Sequence, residues 1–323
     1  MPPNTVVDIP DFADIQLARA RISNWARLTP VLSDPGLDRQ LGCNLYCKCE
    51  NLQRTGTFKF RGASNAISRL REDGIEGDVA THSSGNHGAA LALAAKLDGR
   101  RAHVVMPENS VLMKIATVRR YGGIVHFCAP TQQSREDELA KFVEDGMIPV
   151  PPYDHPDIIA GQGTAALELV QEVSTLEQVI TPVGGGGLVS GTAIAVGSTG
   201  QQVYGVEPEG AADTVASLEQ GERVKNWTPD TIADGLRAII GELNFTVIRL
   251  EVRRVFTVSD EDIRRAMYLF WQELRMVIEP SSATVIAAIR NHPEVFAGKK
   301  VGAIISGGNI DPGDWQSLTN RNL

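Results

Sequence analysis

The chain has 323 residues, 42% of them hydrophobic and 6% aromatic, with a formal net charge of -8 at pH 7. The length suggests one large or two ordinary domains with a sizeable core, and the acidic balance argues against nucleic acid or an anionic membrane as the main partner, though not against a small anionic substrate. No apolar run reaches the ~18 residues of a membrane span, and an N-terminus carrying Asp8, Asp11 and Asp14 lacks the order of a secretory signal.

Ile15, Ala18 and Ile22 recur at helical spacing within Asp14 to Ser23, and Thr29-Pro30 then breaks to an extended segment. Leu45 to Leu52 reads as a strand with Cys47 and Cys49 on one face. With Cys43 and Cys128 they make four cysteines without zinc-type spacing, so reduced structural thiols in a reducing cytoplasm are expected. Ala63, Ala66, Ile67 and Leu70 predict a helix over Arg61 to Arg71.

A regular alternation follows. Strand Val79 to Thr81 leads to helix Gly88 to Leu97, strand Ala102 to Met106 to helix Val111 to Tyr121, and strand Ile124 to Phe127 to helix Ser134 to Glu144. That describes a small parallel sheet covered by helices. Pro149, Pro151, Pro152 and Pro156 mark a crossing between lobes. Beyond it come helix Thr164 to Val173, strand Gln178 to Pro182, helix Leu188 to Val196 and strand Gln202 to Val206. Helices Asp260 to Leu274 and Ser281 to Asn291 and strand Val301 to Ile305 complete the chain. The expected fold is α/β, with two doubly wound parallel-sheet lobes: residues 1–76 with 150–323 as the larger, 77–149 as the smaller. Ligands in such folds lie beyond the carboxyl ends of strands, here between the lobes.

Four stretches carry chemistry. Lys59 sits between Phe58 and Phe60 at a loop-to-helix junction in Thr57-Phe58-Lys59-Phe60-Arg61-Gly62. An isolated lysine of this kind is ordinarily a surface residue with its stem on a ring, but desolvation there would lower its pKa and make it a nucleophile or Schiff-base former. Ser83-Ser84-Gly85-Asn86-His87-Gly88 follows a strand and opens a helix, as an ordinary cap or as a seat for a carboxylate. Gly184-Gly185-Gly186-Gly187-Leu188 does the same with four glycines, whose amides can turn inward on a phosphate. It is neither the dinucleotide fingerprint nor a Walker loop. Ser306-Gly307-Gly308-Asn309 puts a hydroxyl at the end of the last strand.

Together these residues resemble the fold-type II (tryptophan-synthase-β-like) pyridoxal-phosphate enzymes, specifically the serine racemase and serine/threonine dehydratase family, which includes 3-hydroxyaspartate dehydratases. The resemblance runs from Leu28-Thr29-Pro30 to Ser306-Gly307-Gly308-Asn309. It implies that Lys59 holds the cofactor as a Schiff base and that Gly184, Gly185, Gly186, Gly187 and Leu188 bind its phosphate. It implies further that Asn86 bonds the phenolic oxygen, Ser306 faces the pyridine nitrogen, and Phe58 and Gly235 line the ring. Ser83, Ser84, Asn86 and His87 would hold the substrate carboxylate.

By spacing alone Glu207 to Asp213 is a solvated acidic turn. The resemblance makes Glu207, the Ala211 carbonyl and Asp213 ligands of Mg²⁺, or of Ca²⁺ or Mn²⁺, remote from the cofactor.

The implied reaction is loss of water and ammonia from a 2-amino-3-hydroxy acid such as L-serine, L-threonine or 3-hydroxyaspartate. The alternative is a serine or aspartate racemase, alone or as a second activity, because Ser84 matches the serine that reprotonates Cα from the opposite face. Serine racemases tend to carry serines where Ala238 and Ile239 fall, so serine itself is a doubtful best substrate. Arg135 and Arg237 could serve a second substrate carboxylate. His87 speaks against β-replacement synthases, which usually have Thr-Ser-Gly-Asn-Thr-Gly at this loop. The chain ends at Leu323, leaving no room for the regulatory domain of biosynthetic threonine dehydratases. A cytoplasmic homodimer acting on a small amino acid is the expected form.

Overall fold

The computed structural model describes residues 9–83, 85–197 and 199–320. Helix α1 (Phe12–Ile22) starts two residues before the predicted boundary because Asp11 and Asp14 form a reciprocal capping box. Strand β1 (Val31–Leu32), helix α2 (Pro35–Leu41), strand β2 (Asn44–Cys49) and helix α3 (Lys59–Glu72) follow. The smaller sheet is then built from β3 (Val79–His82), β4 (Ala102–Pro107), β5 (Ile124–Cys128) and β6 (Ile148–Pro149), linked by helices α4 (Asn86–Asp98), α5 (Leu112–Arg120) and α6 (Gln132–Glu144). The chain returns through α7 (Pro156–Glu172), β7 (Gln178–Pro182), α8 (Gly187–Gly197), β8 (Gln202–Pro208), α9 (Asp213–Gln220), α10 (Glu242–Glu251) and β9 (Arg254–Val258). It closes with α11 (Asp260–Leu274), α12 (Pro280–Asn291), α13 (Pro293–Phe296), β10 (Lys300–Ile305) and α14 (Pro312–Thr319).

The strands form two sheets, a six-stranded one in the order β1-β2-β10-β7-β8-β9 and a four-stranded one in the order β5-β4-β3-β6. All pairings are parallel except β1 with β2. In each sheet the strand order reverses once, from β5 back to β6 and from β9 back to β10. With right-handed crossovers, that reversal puts helices on both faces. One apolar core packs α2, α11 and α12 on the larger sheet, and a second packs α1, α7, α8 and α10 on its other face. The α/β class and the two parallel sheets match the alternation in the sequence.

Helix α7 begins at Pro156, two turns before the predicted Thr164. Proline suits the first helical position, where no amide partner is needed, and His155 Nδ1 caps it by accepting from the Asp157 amide. Helices α3, α7 and α8 cross with almost no room: a Cβ on Gly161 would lie 2.6 Å from Gly62 Cα, and one on Gly163 2.6 Å from the Gly191 carbonyl oxygen. The four thiols are free and buried. Among the described residues no helix is long and apolar enough to cross a membrane.

Candidate active site

The first residues of α3 are fixed from both sides. Thr57 bridges Gly307, and the Phe58 amide donates to Ser306 O at 3.0 Å. Behind them the buried Arg61 guanidinium bonds Glu50 (2.7 and 2.8 Å) and Glu168 (2.7 and 2.8 Å). Lys48 completes this buried group, giving hydrogen bonds to Glu168 (2.7 Å) and to Thr29 O (2.6 Å). Lys59 therefore leaves a rigid helix end. Its amine donates to Pro152 O at 2.8 Å and lies 5.1 Å from the Phe58 ring centre. Burial lowers its pKa to about 8, against the opposing pull of the Glu279 carboxylate.

The next residue along that crossing, Tyr153, meets the glycine loop. A Cβ on Gly185 would lie 2.4 Å from Tyr153 Cγ. Gly186 adopts φ 93°, which favours glycine, and a Cβ there would strike Ile240 and Asn244. Asn244 Nδ2 and the Gly241 amide hold Gly185 O, at 2.8 and 3.1 Å. Asp154 in turn caps α10, accepting from the Glu242 and Leu243 amides. The amides of Gly184, Gly185 and Gly186 donate to no group among the described residues, and the first turn of α8 adds helix-start amides. The Lys59 amine on Pro152 O and the open amides of the glycine loop against Tyr153 are thus held at consecutive residues of the crossing between the lobes.

The smaller lobe closes the cleft from the carboxyl end of β3. Ser83 Oγ accepts from the Gly85 and Gly88 amides, at 3.1 and 3.0 Å. Ser84 lies outside the described residues. Asn86 Nδ2 donates to both oxygens of Glu279 at 3.1 Å, and Asn86 Oδ1 accepts from Asn309 Nδ2 at 2.9 Å. His87 Nε2 donates to Val150 O at 3.1 Å, while burial and the Lys59 charge push its pKa down to about 3. Ser282 gives its proton to Gly307 O, which leaves Ser306 the donor in their 3.0 Å hydroxyl contact. The Gly235 amide donates to Ser281 Oγ at 3.2 Å.

Arg135 and Arg237 differ. Arg135, on the first turn of α6, is half-buried, and its Nε finds no hydrogen-bond partner among the described residues. It lies close enough to His82, at the end of β3, to help burial lower the histidine pKa. Arg237 is exposed and its guanidinium turns back onto Thr231 O.

The predicted acidic turn is not solvated. Glu207 is the sixth residue of β8 and fully buried. Its oxygens accept from the Thr214 and Val215 amides, at 3.2 and 3.1 Å, and Asp213 accepts from the Ile240 amide at 2.8 Å. Burial, then the Asp213 charge, raises Glu207 to about 8, and burial raises Asp213 to about 6. The Ala211 side chain is buried beside them. Among the described residues no three His, Cys, Asp or Glu side chains converge as metal ligands.

Glu279 escaped the sequence reading. It is buried between Lys59, Asn86 and Lys114, and burial raises it to about 7. Its one sequence signal is an acid directly before Pro280, the first residue of α12.

A desolvated amine, a cradle of open amides and a hydroxyl donor in one cleft fit pyridoxal phosphate. Residues 22–307 match the family model described as "Pyridoxal-phosphate dependent enzyme". The chain belongs to this family. It is 44% identical over 306 residues to the beta-hydroxyaspartate dehydratase of Paracoccus denitrificans, covering 94% of this chain and 97% of the relative. It is 43% identical over 314 residues to the serine racemase of Dictyostelium discoideum, covering 95% and 97%. Among solved structures, maize serine racemase superimposes with a TM-score of 0.92 at 38% identity, covering 97% of this chain and 98% of that one.

Proposed function

We propose that this family member is an ammonia-lyase of the dehydratase type, which eliminates water from a 2-amino-3-hydroxy acid and, when water adds back to the resulting imine, releases ammonia and a 2-oxo acid. The observation that carries the reading is the Lys59 amine, buried and lowered to about 8, so that a neutral base is available near neutral pH. Bound pyridoxal phosphate supplies the electron sink for charge developing at Cα. Lys59 takes the Cα proton, and Ser83, Asn86 and His87 hold the α-carboxylate at the start of α4. Phe58 and Gly235 would flank the ring, and Gly184 to Leu188 would take the phosphate. Ser306, whose proton here bonds Ser282, would have to turn its hydroxyl to the ring nitrogen; a hydroxyl there rather than a carboxylate would not enforce ring protonation and would favour prompt loss of the β-hydroxyl.

The substrate we favour is 3-hydroxyaspartate. The open Nε of Arg135 supports it, because a second carboxylate would satisfy that donor. Arg237, already bonded to Thr231 O, is the weaker choice. The dehydratase name of the Paracoccus relative points the same way. Racemisation is the second reading, favoured by a serine at position 84 and by the Dictyostelium relative.

A divalent cation, Mg²⁺ first, belongs to the proposal. Glu207 and Asp213, two carboxylates that burial raises, would gain from a cation, with the Ala211 carbonyl and water completing the shell. A homodimer in a reducing cytoplasm, as the four free thiols suit, is the expected form.

The test is a substrate panel with Mg²⁺: L-serine, D-serine, L-threonine and the 3-hydroxyaspartate isomers, following 2-oxo acid and the enantiomer of remaining substrate. Keto acid from hydroxyaspartate, lost in Lys59→Ala and weakened in Arg135→Ala, is expected. Inverted substrate without keto acid would overturn the order of the two readings. Ser84→Ala is expected to remove racemisation and spare elimination.

A further inference from the structure

Lys114 crosses between the lobes. It sits in the first turn of α5, on the smaller lobe, and is buried despite its charge. Its stem runs over Gly85: a Cβ on that glycine would lie 2.5 Å from Lys114 Cδ and 3.1 Å from Cγ. Its amine ends in an ion pair with Asp234 of the larger lobe.

The two ends of this strut have different footings. Asp234 is fixed: its amide donates to Ile232 O at 3.0 Å, and the Ile232 amide and Thr231 hydroxyl bond Asp260 at the start of α11, at 3.0 and 2.6 Å. Gly235 is tied to α12 through Ser281. The other end presses on Gly85, in a segment that also reaches the larger lobe through Asn86 to Glu279 and Asn309 and through His87 to Val150 O.

We infer that Lys114 is a positioning residue, its bridge to Asp234 a latch that holds Gly85 to Gly88 against the larger lobe. The inference rests on the proposed role of that loop as the carboxylate seat. Lys114 also lowers the pKa of the Glu279 carboxyl, so the latch supplies the cation facing the acid that Asn86 contacts. A surface ion pair has little such leverage. Here the Lys114 end is buried and the Asp234 end half-buried, and losing Asp234 leaves a buried ammonium without its counter-charge.

The test is hydrogen exchange on the holoenzyme and on Lys114→Met, Asp234→Asn and the double variant, with Lys114→Arg as the conservative control. Exchange of the amides from Gly85 to Gly88 should quicken about tenfold in each single variant. The double variant should be no faster than either single, and Lys114→Arg should restore protection. Unchanged exchange in Lys114→Met, or additive effects in the double, would overturn the latch. Should Lys114→Met fail to fold, Asp234→Asn against Lys114→Arg carries the same comparison. Where the wild type turns over a hydroxy amino acid, KM is expected to rise more than kcat falls. A wild type inactive on the whole panel would sink the functional reading and leave the exchange result standing.

Discussion

Removing the guanidinium behind Lys59 tests how the helix end is held. Lys48, Glu50, Arg61 and Glu168 carry two positive and two negative charges in a nearly dry site. Arg61→Met leaves one positive charge against two negative ones, with Glu50 stripped of its charged partner. Breaking a buried pair in this way costs about 3–5 kcal/mol. An unfolding entropy of about 2.1 cal/mol/K per residue gives about 0.7 kcal/mol per degree for a chain of 323 residues. The melting temperature should therefore fall by about 4–7 °C. The sharper result comes from Arg61→Met with Glu50→Gln. That pair removes one charge of each sign, keeps the Lys48–Glu168 bridge, and leaves the Thr29 hydroxyl an acceptor. It should recover more than half of the loss. The assay is thermal unfolding of the holoenzyme with the absorption of bound pyridoxal phosphate recorded in parallel. A double variant as unstable as Arg61→Met, or less stable, would show that packing rather than charge balance holds the first turn of α3.

Other consequences are equally direct. Gly185→Ala brings a methyl to 2.4 Å from the Tyr153 ring whether or not cofactor is bound, so the loop must move: cofactor affinity should drop more than about tenfold by equilibrium titration, and the melting temperature of cofactor-free protein should fall as well. Glu279 is raised to about 7, so the folded cofactor-free protein binds its proton more tightly than the unfolded chain does, and this carboxyl costs stability as pH rises from the unfolded value of about 4.5 through 7. Glu279→Gln should melt higher than wild type at pH 8 and lose that advantage near pH 5; an advantage independent of pH would rule out titration of Glu279 as its source. Mg²⁺ should raise the melting temperature more at pH 8 than at pH 5, because Glu207 and Asp213, raised to about 8 and about 6, give up protons to bind it. Glu207→Gln should abolish most of that gain.

The alternation of strands and helices was legible because each element carries its own period. Helix Asp260–Leu274 was predicted to the residue: Ser259 caps it, its apolar face repeats cleanly, and Arg275 ends it in the left-handed region. Elements whose signal is diluted were cut short or missed. Helix α7 starts with Pro156 and holds Gly161 and Gly163, residues that ordinarily count against a helix, because α3 and α8 pass too close for a side chain. Strand β9 and helices α9 and α10 were not anticipated. Arg254 and Thr257 interrupt β9, and α10 owes its start to Asp154, eighty-eight residues away from Glu242 in sequence.

The site divides along the same line. Lys59, the tetraglycine loop and the Ser83–Gly88 loop stand at strand-to-helix junctions, where local composition announces an exposed backbone or a held side chain. Glu207 does not: two acids near a strand end look like a solvated turn until the fold buries Glu207 inside β8 and packs the α9 amides against it. Glu279 and Lys114 have no local signature that reveals their partners. Their roles come from an encounter between elements more than a hundred residues apart, and the same encounter buries the Glu279 carboxyl and sets Lys114 opposite it. A variant that opens the lobes without touching a catalytic side chain should still change the pH dependence of the reaction, because opening relieves the burial that raises Glu279 and withdraws the Lys114 charge that opposes it.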